Sequence, residues 1–228
     1  MDSFIKETNE KFINLNGRER VSYALEHFPG RYALSSSFGV QSAVSLHMLT
    51  EVYPDIPVIL IDTGYLFPET HQFVEQLTER LDLNLHVYQS QMSNKIQEAK
   101  FGKQWEQTET DLKAYNQMNK VEPMERALEE LGIGTWFAGV RKDQSQNRGQ
   151  IPFVQRLRNK IKVHPLLDLT NQHLHKYLTK HNLPYHPLWD KGYVSVGDTH
   201  STVPLTLGMT EADTRFGGRS RECGLHIA

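Results

Sequence analysis

The chain has 228 residues, a formal net charge of −2 and one cysteine, Cys223. This length suits a single domain, and the small net charge requires that any anion site come from local clusters of basic residues. One cysteine excludes an internal disulfide, a four-cysteine zinc site and an iron–sulfur cluster held by this chain alone. There is no apolar run of membrane-spanning length and no signal-peptide core. We therefore expect a cytoplasmic protein without membrane or nucleic-acid partners.

Apolar segments alternate between strand-like and helical patterns along the chain. Two short helices are predicted within residues 3–28, separated near Gly17. Further helices are predicted from residue 43, over 68–81, within 93–131 with breaks near Gly102 and at Pro123, and over 170–181. Strands are predicted at residues 32–34, 57–62, 83–88, 135–140 and 161–163.

This order predicts an α/β fold, a doubly wound and mainly parallel sheet flanked by helices. We expect one domain over residues 1–209, with a helical N-terminal segment over 1–28. Residues 210–228 have several glycines and no periodicity, which predicts a flexible C-terminal tail.

A serine-rich loop joins the first strand to the next helix. Such a loop can direct backbone N–H groups and hydroxyls at an anion, next to the positive end of a helix. Gly39 is the one residue there that can take a positive φ without penalty. The alternative is an ordinary turn with a serine cap. The candidate binding residues of the loop are Ser35, Ser36, Ser37, Gly39, Gln41 and Ser42.

Two more predicted strands end in candidate site residues, Asp62 after the second and Gly139 and Arg141 after the fourth. In a doubly wound fold, ligands bind beyond the carboxyl ends of the strands, so these loops should converge on one crevice. Arg141 and Arg148 could then bind phosphate, with Arg156 and Arg158 as further candidates; the alternative is a solvated basic loop. Asp62 could instead only cap its turn.

Cys223 lies in the tail among Arg215, Arg219 and Arg221. Nearby cations favour the reactive thiolate, whereas Glu222 opposes it. A structural cysteine would normally stand within an apolar pattern, so this context indicates a reactive thiol rather than an incidental one.

The tail motif Arg-Glu-Cys-Gly-Leu-His at 221–226 resembles the catalytic tail of 3′-phosphoadenylyl-sulfate (PAPS) reductases, a family in the adenine nucleotide α-hydrolase-like superfamily. Within the serine loop, Gln41 stands where many members of the superfamily carry aspartate. The resemblance implies reduction of PAPS to sulfite and adenosine 3′,5′-bisphosphate in sulfate assimilation and cysteine biosynthesis. Further matching segments are residues 35–42, 61–65, 119–123, 136–141 and 186–189.

Related enzymes that use adenylyl sulfate carry four cysteines that hold a four-iron–four-sulfur cluster. At the matching positions this sequence has Tyr115, Asn116, Asp198 and Ser201. The resemblance therefore implies the cluster-free branch, with no bound cofactor and no metal site.

In the mechanism that the resemblance implies, the Cys223 thiolate attacks the terminal sulfur of PAPS and forms a cysteine S-sulfonate. A lone cysteine cannot resolve this intermediate, so thioredoxin or glutaredoxin is the expected external reductant. Arg148 matches a substrate-phosphate ligand, and family relatives are often homodimers. Alternatively, Lys120 could be a surface lysine and His226 an uninvolved terminal histidine. The basic residues matched to positions near the reacting group are Lys120, Arg215, Arg219 and His226.

Two other functions remain open at this point. An ATP-pyrophosphatase or adenylyltransferase on the same fold would not need Cys223. A non-enzymatic nucleotide sensor would bind adenosine 3′,5′-bisphosphate but release no sulfite in the presence of reduced thioredoxin.

Overall fold

The structure is a computed structural model that describes residues 2–144 and 148–218. Within these ranges, six strands form one sheet in the order β3-β2-β1-β4-β6-β5. All neighbouring strands are parallel except β5, which pairs antiparallel with β6. The strands are β1 Tyr32–Ser35, β2 Val58–Ile61, β3 Leu85–Tyr88, β4 Thr135–Ala138, β5 Val154–Leu157 and β6 Lys160–Val163.

Helices cover both faces of this sheet. Successive strand residues point to opposite faces. Leu34 accordingly packs in a core cluster with residues of α1 to α4 and α8, whereas Ala33 packs with Ala127 and Leu128 of α7. The helices are α1 Asp2–Phe12, α2 Gly17–His27, α3 Ala43–Val52, α4 Pro68–Leu81, α5 Asn94–Phe101, α6 Glu109–Asn116, α7 Glu122–Glu130 and α8 Asn171–Lys180.

The doubly wound α/β fold is confirmed. From β1 the sheet extends through β2 and β3 on one side and through β4 on the other. The strand order therefore reverses between β1 and β4, which is where doubly wound folds bind their ligands.

The prediction omitted strand β5. Its Val-Gln-Arg-Leu sequence is short and half polar, and it pairs at the edge of the sheet. The connection to β6 is Arg158-Asn159, and both residues have positive φ, 51° and 57°. A two-residue hairpin requires this conformation but usually signals it with glycine, which is absent here.

The break predicted at Pro123 was wrong. Helical structure continues from α6 through the π-helical segment Gln117–Val121 into α7, and Pro123 lies in the first turn of α7. The π-helical segment just before Pro123 changes the hydrogen-bond pattern at this point, so a residue without an N–H is accommodated in the continuous helix. The break near Gly102 is confirmed, since Gly102 ends α5 with a φ of 70°.

Candidate active site

A cavity of about 320 Å³ lies beyond the carboxyl ends of β1 and β4. Ser35 at the end of β1 is in register with Ala138 at the end of β4, so the loops that follow these strands are neighbours. The structure therefore brings the two loops together at the crevice, as expected. The cavity-lining residues that the sequence singled out are Ser35, Ser36, Ser37, Gly39, Gln41, Ser42, Lys120, Gly139, Arg141, Arg148 and Arg215.

Phe38 has the positive φ in the serine loop, although Gly39 is the residue that could take it without penalty. Phe38 has a φ of 48°, its ring is fully buried, and its N–H donates to Ser36 Oγ at 3.1 Å. A left-handed conformation costs a non-glycine residue about 1–2 kcal/mol. Burial of the aromatic ring, worth about 1.5–3 kcal/mol, offsets this cost and holds the strained loop in place.

The serines of the loop have different roles. Ser35 Oγ accepts a 2.7 Å hydrogen bond from Trp136 Nε1, and Ser36 caps the Phe38 amide. Ser42 precedes α3 but makes no side-chain cap, and its Oγ has no hydrogen-bond partner among the described residues. The serine-cap alternative therefore does not apply to Ser42, which remains a predicted substrate ligand together with the exposed Ser37.

Two glycines of the cavity wall are explained by close packing. A Cβ on Gly139 would lie 2.9 Å from Ser45 Oγ in α3. A Cβ on Gly197 would overlap the guanidinium of Arg215, with its Cζ only 2.6 Å away. Sequence reasoning did not single out Gly197, because the residue that needs the space is eighteen positions further along the chain.

Arg141 is buried, and its guanidinium forms hydrogen bonds with the surrounding loops. Its Nη1 donates to Asp143 Oδ2 at 2.8 Å and to the Leu169 carbonyl at 3.1 Å. Its Nη2 donates to Gln41 Oε1 at 3.2 Å and to Asn171 Oδ1 at 2.8 Å. Burial lowers the pKa of Arg141. These bonds hold the serine loop against the loop after β4 and the start of α8.

Of the other candidate site residues from the sequence, some line the cavity and some lie outside it. Arg148 lines the cavity and donates to Gln144 Oε1. Arg158 instead pairs with Glu125 at 2.8 Å, and neither it nor the exposed Arg156 lines the cavity. Asp62 also does not line the cavity.

Both carboxylate oxygens of Asp62 accept hydrogen bonds, one from its own turn and one from the loop after β3. Oδ1 accepts the Gly64 N–H at 2.8 Å, and Oδ2 accepts from Gln89 Nε2 at 2.9 Å. The turn-capping alternative therefore describes the observed contacts of Asp62.

A buried carboxylate, Asp198, also lies in the cavity wall. Lys120 Nζ lies 2.7 Å from its Oδ2, and Thr63 Oγ1 donates to its Oδ1 at 2.6 Å. Tyr115 Oη donates to Oδ2 at 3.2 Å. Burial alone would raise the pKa of the Asp198 carboxyl, but Lys120 and the hydrogen bonds lower it to about 2. The Asp198 carboxyl is therefore ionised at neutral pH.

An aromatic group encloses this ion pair. The His200 ring stacks on Trp105 with centroids 4.0 Å apart, and its Nε2 lies 3.1 Å from Tyr115 Oη. Burial lowers the pKa of His200 to about 4. We call Thr63, Tyr115, Lys120, Asp198 and His200 the Asp198 network.

The four positions matched to cluster-ligating cysteines meet at this network. They carry Tyr115, Asn116, Asp198 and Ser201, all buried, and Ser201 Oγ donates to the Asp198 carbonyl. These side chains supply no thiolate, so they do not fit an iron–sulfur cluster. In the sequence, Asp198 was noted only as a position that lacks a cluster-ligating cysteine. Its contact with Lys120 was not predicted, because the two residues are 78 positions apart and no local pattern relates them.

The start of the predicted tail lies against the domain. Thr202 and Arg215 form an antiparallel bridge, and Thr214 is fully buried. This bridge places Arg215 at the cavity. Cys223, Arg219 and His226 lie outside the described residues, and their roles stay predictions.

Within residues 2–144 and 148–218, no group of three or more His, Cys, Asp or Glu side chains could hold a metal ion. No helix in the same ranges is long and apolar enough to cross a membrane.

Sequence comparisons find close relatives over nearly the whole chain. The phosphoadenosine phosphosulfate reductase domain family matches residues 31–204. The chain is 56% identical over 222 residues to phosphoadenosine 5′-phosphosulfate reductases of Shewanella oneidensis and Klebsiella pneumoniae. Each alignment covers 97% of this chain and 91% of the relative.

Solved structures agree with the sequence comparison. The phosphate complex of PAPS reductase from Candida auris superposes with a TM-score of 0.76 at 30% identity, covering 89% of this chain and 98% of that one. Candida glabrata FMN adenylyltransferase, at 18% identity and a TM-score of 0.62, shares the fold alone; the match covers 90% of this chain and 71% of that chain. The chain belongs to the phosphoadenosine phosphosulfate reductase family.

Proposed function

We propose that this protein reduces 3′-phosphoadenylyl sulfate to sulfite and adenosine 3′,5′-bisphosphate in sulfate assimilation. The observation that carries the proposal is the cavity at the β1–β4 switch point, in a chain 56% identical to PAPS reductases over 97% of its length. One wall presents the hydroxyls and amides of the serine loop, and Lys120, Arg148 and Arg215 surround the same space. This combination suits a nucleotide with several anionic groups.

The reaction proposed for Cys223 begins with attack of its thiolate on the sulfonate sulfur of PAPS. An S–S bond forms, the sulfur–oxygen bond to the phosphate breaks, and adenosine 3′,5′-bisphosphate leaves with the electron pair. Positive side chains near the reacting group stabilise the charge that develops on this leaving oxygen. The product on the enzyme is a cysteine S-sulfonate.

An external dithiol protein completes the turnover in this proposal. A thiolate of thioredoxin or glutaredoxin attacks Cys223 Sγ, and sulfite leaves with the electron pair of the S–S bond. The second thiol of the donor then breaks the mixed disulfide. The donor is thereby oxidised to its disulfide, Cys223 returns as a thiol, and the substrate sulfur has gained two electrons.

We propose that the enzyme works without an iron–sulfur cluster. The side chains of Tyr115, Asn116, Asp198 and Ser201 support this, because none of them can act as a thiolate ligand. Side chains of the protein then stabilise the charge on the leaving group, and the external dithiol supplies the electrons.

Sulfite release from PAPS with reduced thioredoxin tests the function. We expect Cys223→Ser to abolish it, and we expect the parent protein, incubated with PAPS before any reductant is added, to gain the mass of one sulfonate on Cys223. Equal or faster sulfite release from adenylyl sulfate would defeat the choice of substrate. Full sulfite release by Cys223→Ser would defeat the role proposed for Cys223, whereas a parent protein that releases no sulfite but transfers adenylyl groups would favour the alternative enzyme on this fold.

A further inference from the structure

Asp198 makes a dense set of contacts for a carboxylate in the wall of an anion site. Its side chain is 2% exposed, and its two oxygens lie within 3.2 Å of three side chains: Thr63 after β2, and Tyr115 and Lys120 in the continuous helical stretch from α6 into the π-helical segment. A negative charge here opposes the binding of an anionic substrate. Its presence therefore requires a compensating role.

The contact with Lys120 supplies that role. Lysine carries its charge on a flexible four-carbon stem, so an unsupported ammonium loses side-chain entropy when it is placed against a substrate. Lys120 Nζ is instead held 2.7 Å from Asp198 Oδ2, while the residue lines the cavity. Its orientation is fixed before the substrate arrives.

Two further features determine where the Lys120 side chain lies. It lies in the π-helical segment Gln117–Val121, a wider turn of a kind that is frequent at functional sites. Its Nζ also lies 5.7 Å from the ring centroid of Phe216 and 5.5 Å from that of Tyr115. The ammonium therefore contacts the Asp198 carboxylate and lies near Phe216, which precedes Cys223 by seven residues.

We infer that Asp198 is a positioning residue for the reaction: it holds the Lys120 ammonium at the cavity wall, ready to stabilise the departing nucleotide phosphate. Thr63 fixes the second oxygen of the carboxylate and so determines the direction from which Lys120 is held. This inference rests on the proposed function, because it assigns Lys120 a role in that reaction.

A double-mutant cycle tests the inference in the full chain. The variants are Lys120→Met, Asp198→Asn and the combination, and the measurements are kcat and KM for PAPS with reduced thioredoxin. We expect Lys120→Met to lower kcat/KM by about a hundredfold, the loss typical of one preorganised charge-stabilising donor. Asp198→Asn should lower kcat by about tenfold without raising KM, because it misplaces the ammonium but removes a charge that opposes substrate binding.

The combination should be no slower than Lys120→Met alone, within about twofold, because Asp198 acts through Lys120. A combination slower by the product of the two single effects would overturn the inference. It would also be overturned if Asp198→Asn lowered only the melting temperature and left kcat unchanged.

Two further variants keep the test independent of folding defects. Thr63→Val removes the hydrogen bond to Asp198 Oδ1 with little change in side-chain volume. We expect it to lower kcat about threefold, to a value between those of the parent and Asp198→Asn. An unchanged kcat would count against the inference. Glu125→Gln removes a carboxylate from the Arg158 ion pair outside the cavity and should leave kcat unchanged. A parent protein that releases no sulfite would refute the proposed function and the inference together. An active parent with additive losses would refute the inference alone.

Discussion

The two walls of the cavity are built differently. The serine loop is continuous over residues 35–42 and offers uncharged donors, namely hydroxyls and backbone amides. The Asp198 network joins residues from position 63 to position 200 around one buried ion pair. Under the proposed function, the loop would recognise phosphate oxygens through fixed dipoles, and the network would set the position of the Lys120 ammonium.

The two walls are also stabilised differently. Packing holds the loop: Phe38 is buried in a strained conformation, and Gly139 lets α3 approach the end of β4. The Asp198 side of the cavity depends on electrostatics and on space for charged side chains. Substitutions on the two sides should therefore separate effects on stability from effects on activity.

The largest effect is expected from Gly197→Ala. The new Cβ would displace the Arg215 guanidinium, the flexible end of a long side chain, so the fold should accommodate it while the cation moves. Misplacement of a substrate-facing group by about 1 Å can cost a hundredfold in rate. We expect a loss of kcat/KM of about that size and a nearly unchanged melting temperature. Gly30→Ala, whose Cβ would meet only a tyrosine ring carbon at 3.9 Å, is the matched control. A drop in melting temperature without loss of activity would contradict the claim that Gly197 positions Arg215 for activity.

Gly139→Ala should act mainly on stability. Its Cβ would lie 2.9 Å from Ser45 Oγ and 3.2 Å from Ser45 Cβ. The Cβ cannot move without the α3 backbone, and a 3.0 Å hydrogen bond to the Ser42 carbonyl holds the Oγ in its rotamer. Overpacking of this kind costs about 1–3 kcal/mol in free energy of unfolding, measurable by urea denaturation. Adding Ser45→Ala removes the closer atom and should restore part of the loss. If Ser45→Ala restores nothing, the contact is not the cause.

The smallest expected effect is a pH dependence specific to the Asp198 network. His200 titrates near 6.5 in the unfolded chain, and burial lowers its pKa to about 4 in the fold, despite Asp198 at 3.8 Å; Lys120 and Arg215 reinforce the lowering, whereas Glu106 opposes it. Between these pH values the unfolded chain binds a proton that the folded chain does not, so the free energy of unfolding falls as the pH falls.

We expect His200 to contribute less than about 1 kcal/mol per pH unit, because its ring is not fully desolvated. His164 and His186, with pKa values lowered to about 3 and about 4 by burial, act in the same direction. Denaturation curves of the parent and of His200→Asn between pH 6.5 and 4.5 isolate the His200 part. An identical slope in both proteins would place His200 outside the linkage.

Local patterns were sufficient for most of the fold. The apolar run before Asp62 predicted a buried parallel strand, and Thr170 and His181 bracket the observed α8. Strand β5 was missed because its pairing depends on the neighbouring strand and on an unusual turn. Residue preferences alone favour Gly39 for a positive φ in the serine loop, whereas Phe38 adopts it with its ring packed in the core.

By itself, the sequence determined the alternation of strands and helices, the serine loop and the family. Each of these is written in neighbouring residues, where periodicity and motif spacing are visible. Only the tertiary structure decided that Arg141 is committed to Gln41 and Asn171, that Gly197 makes room for Arg215, and that Asp198 faces Lys120. The physical reason is that the free energy of a buried charge depends on partners brought close by folding, and distance along the chain does not record that proximity.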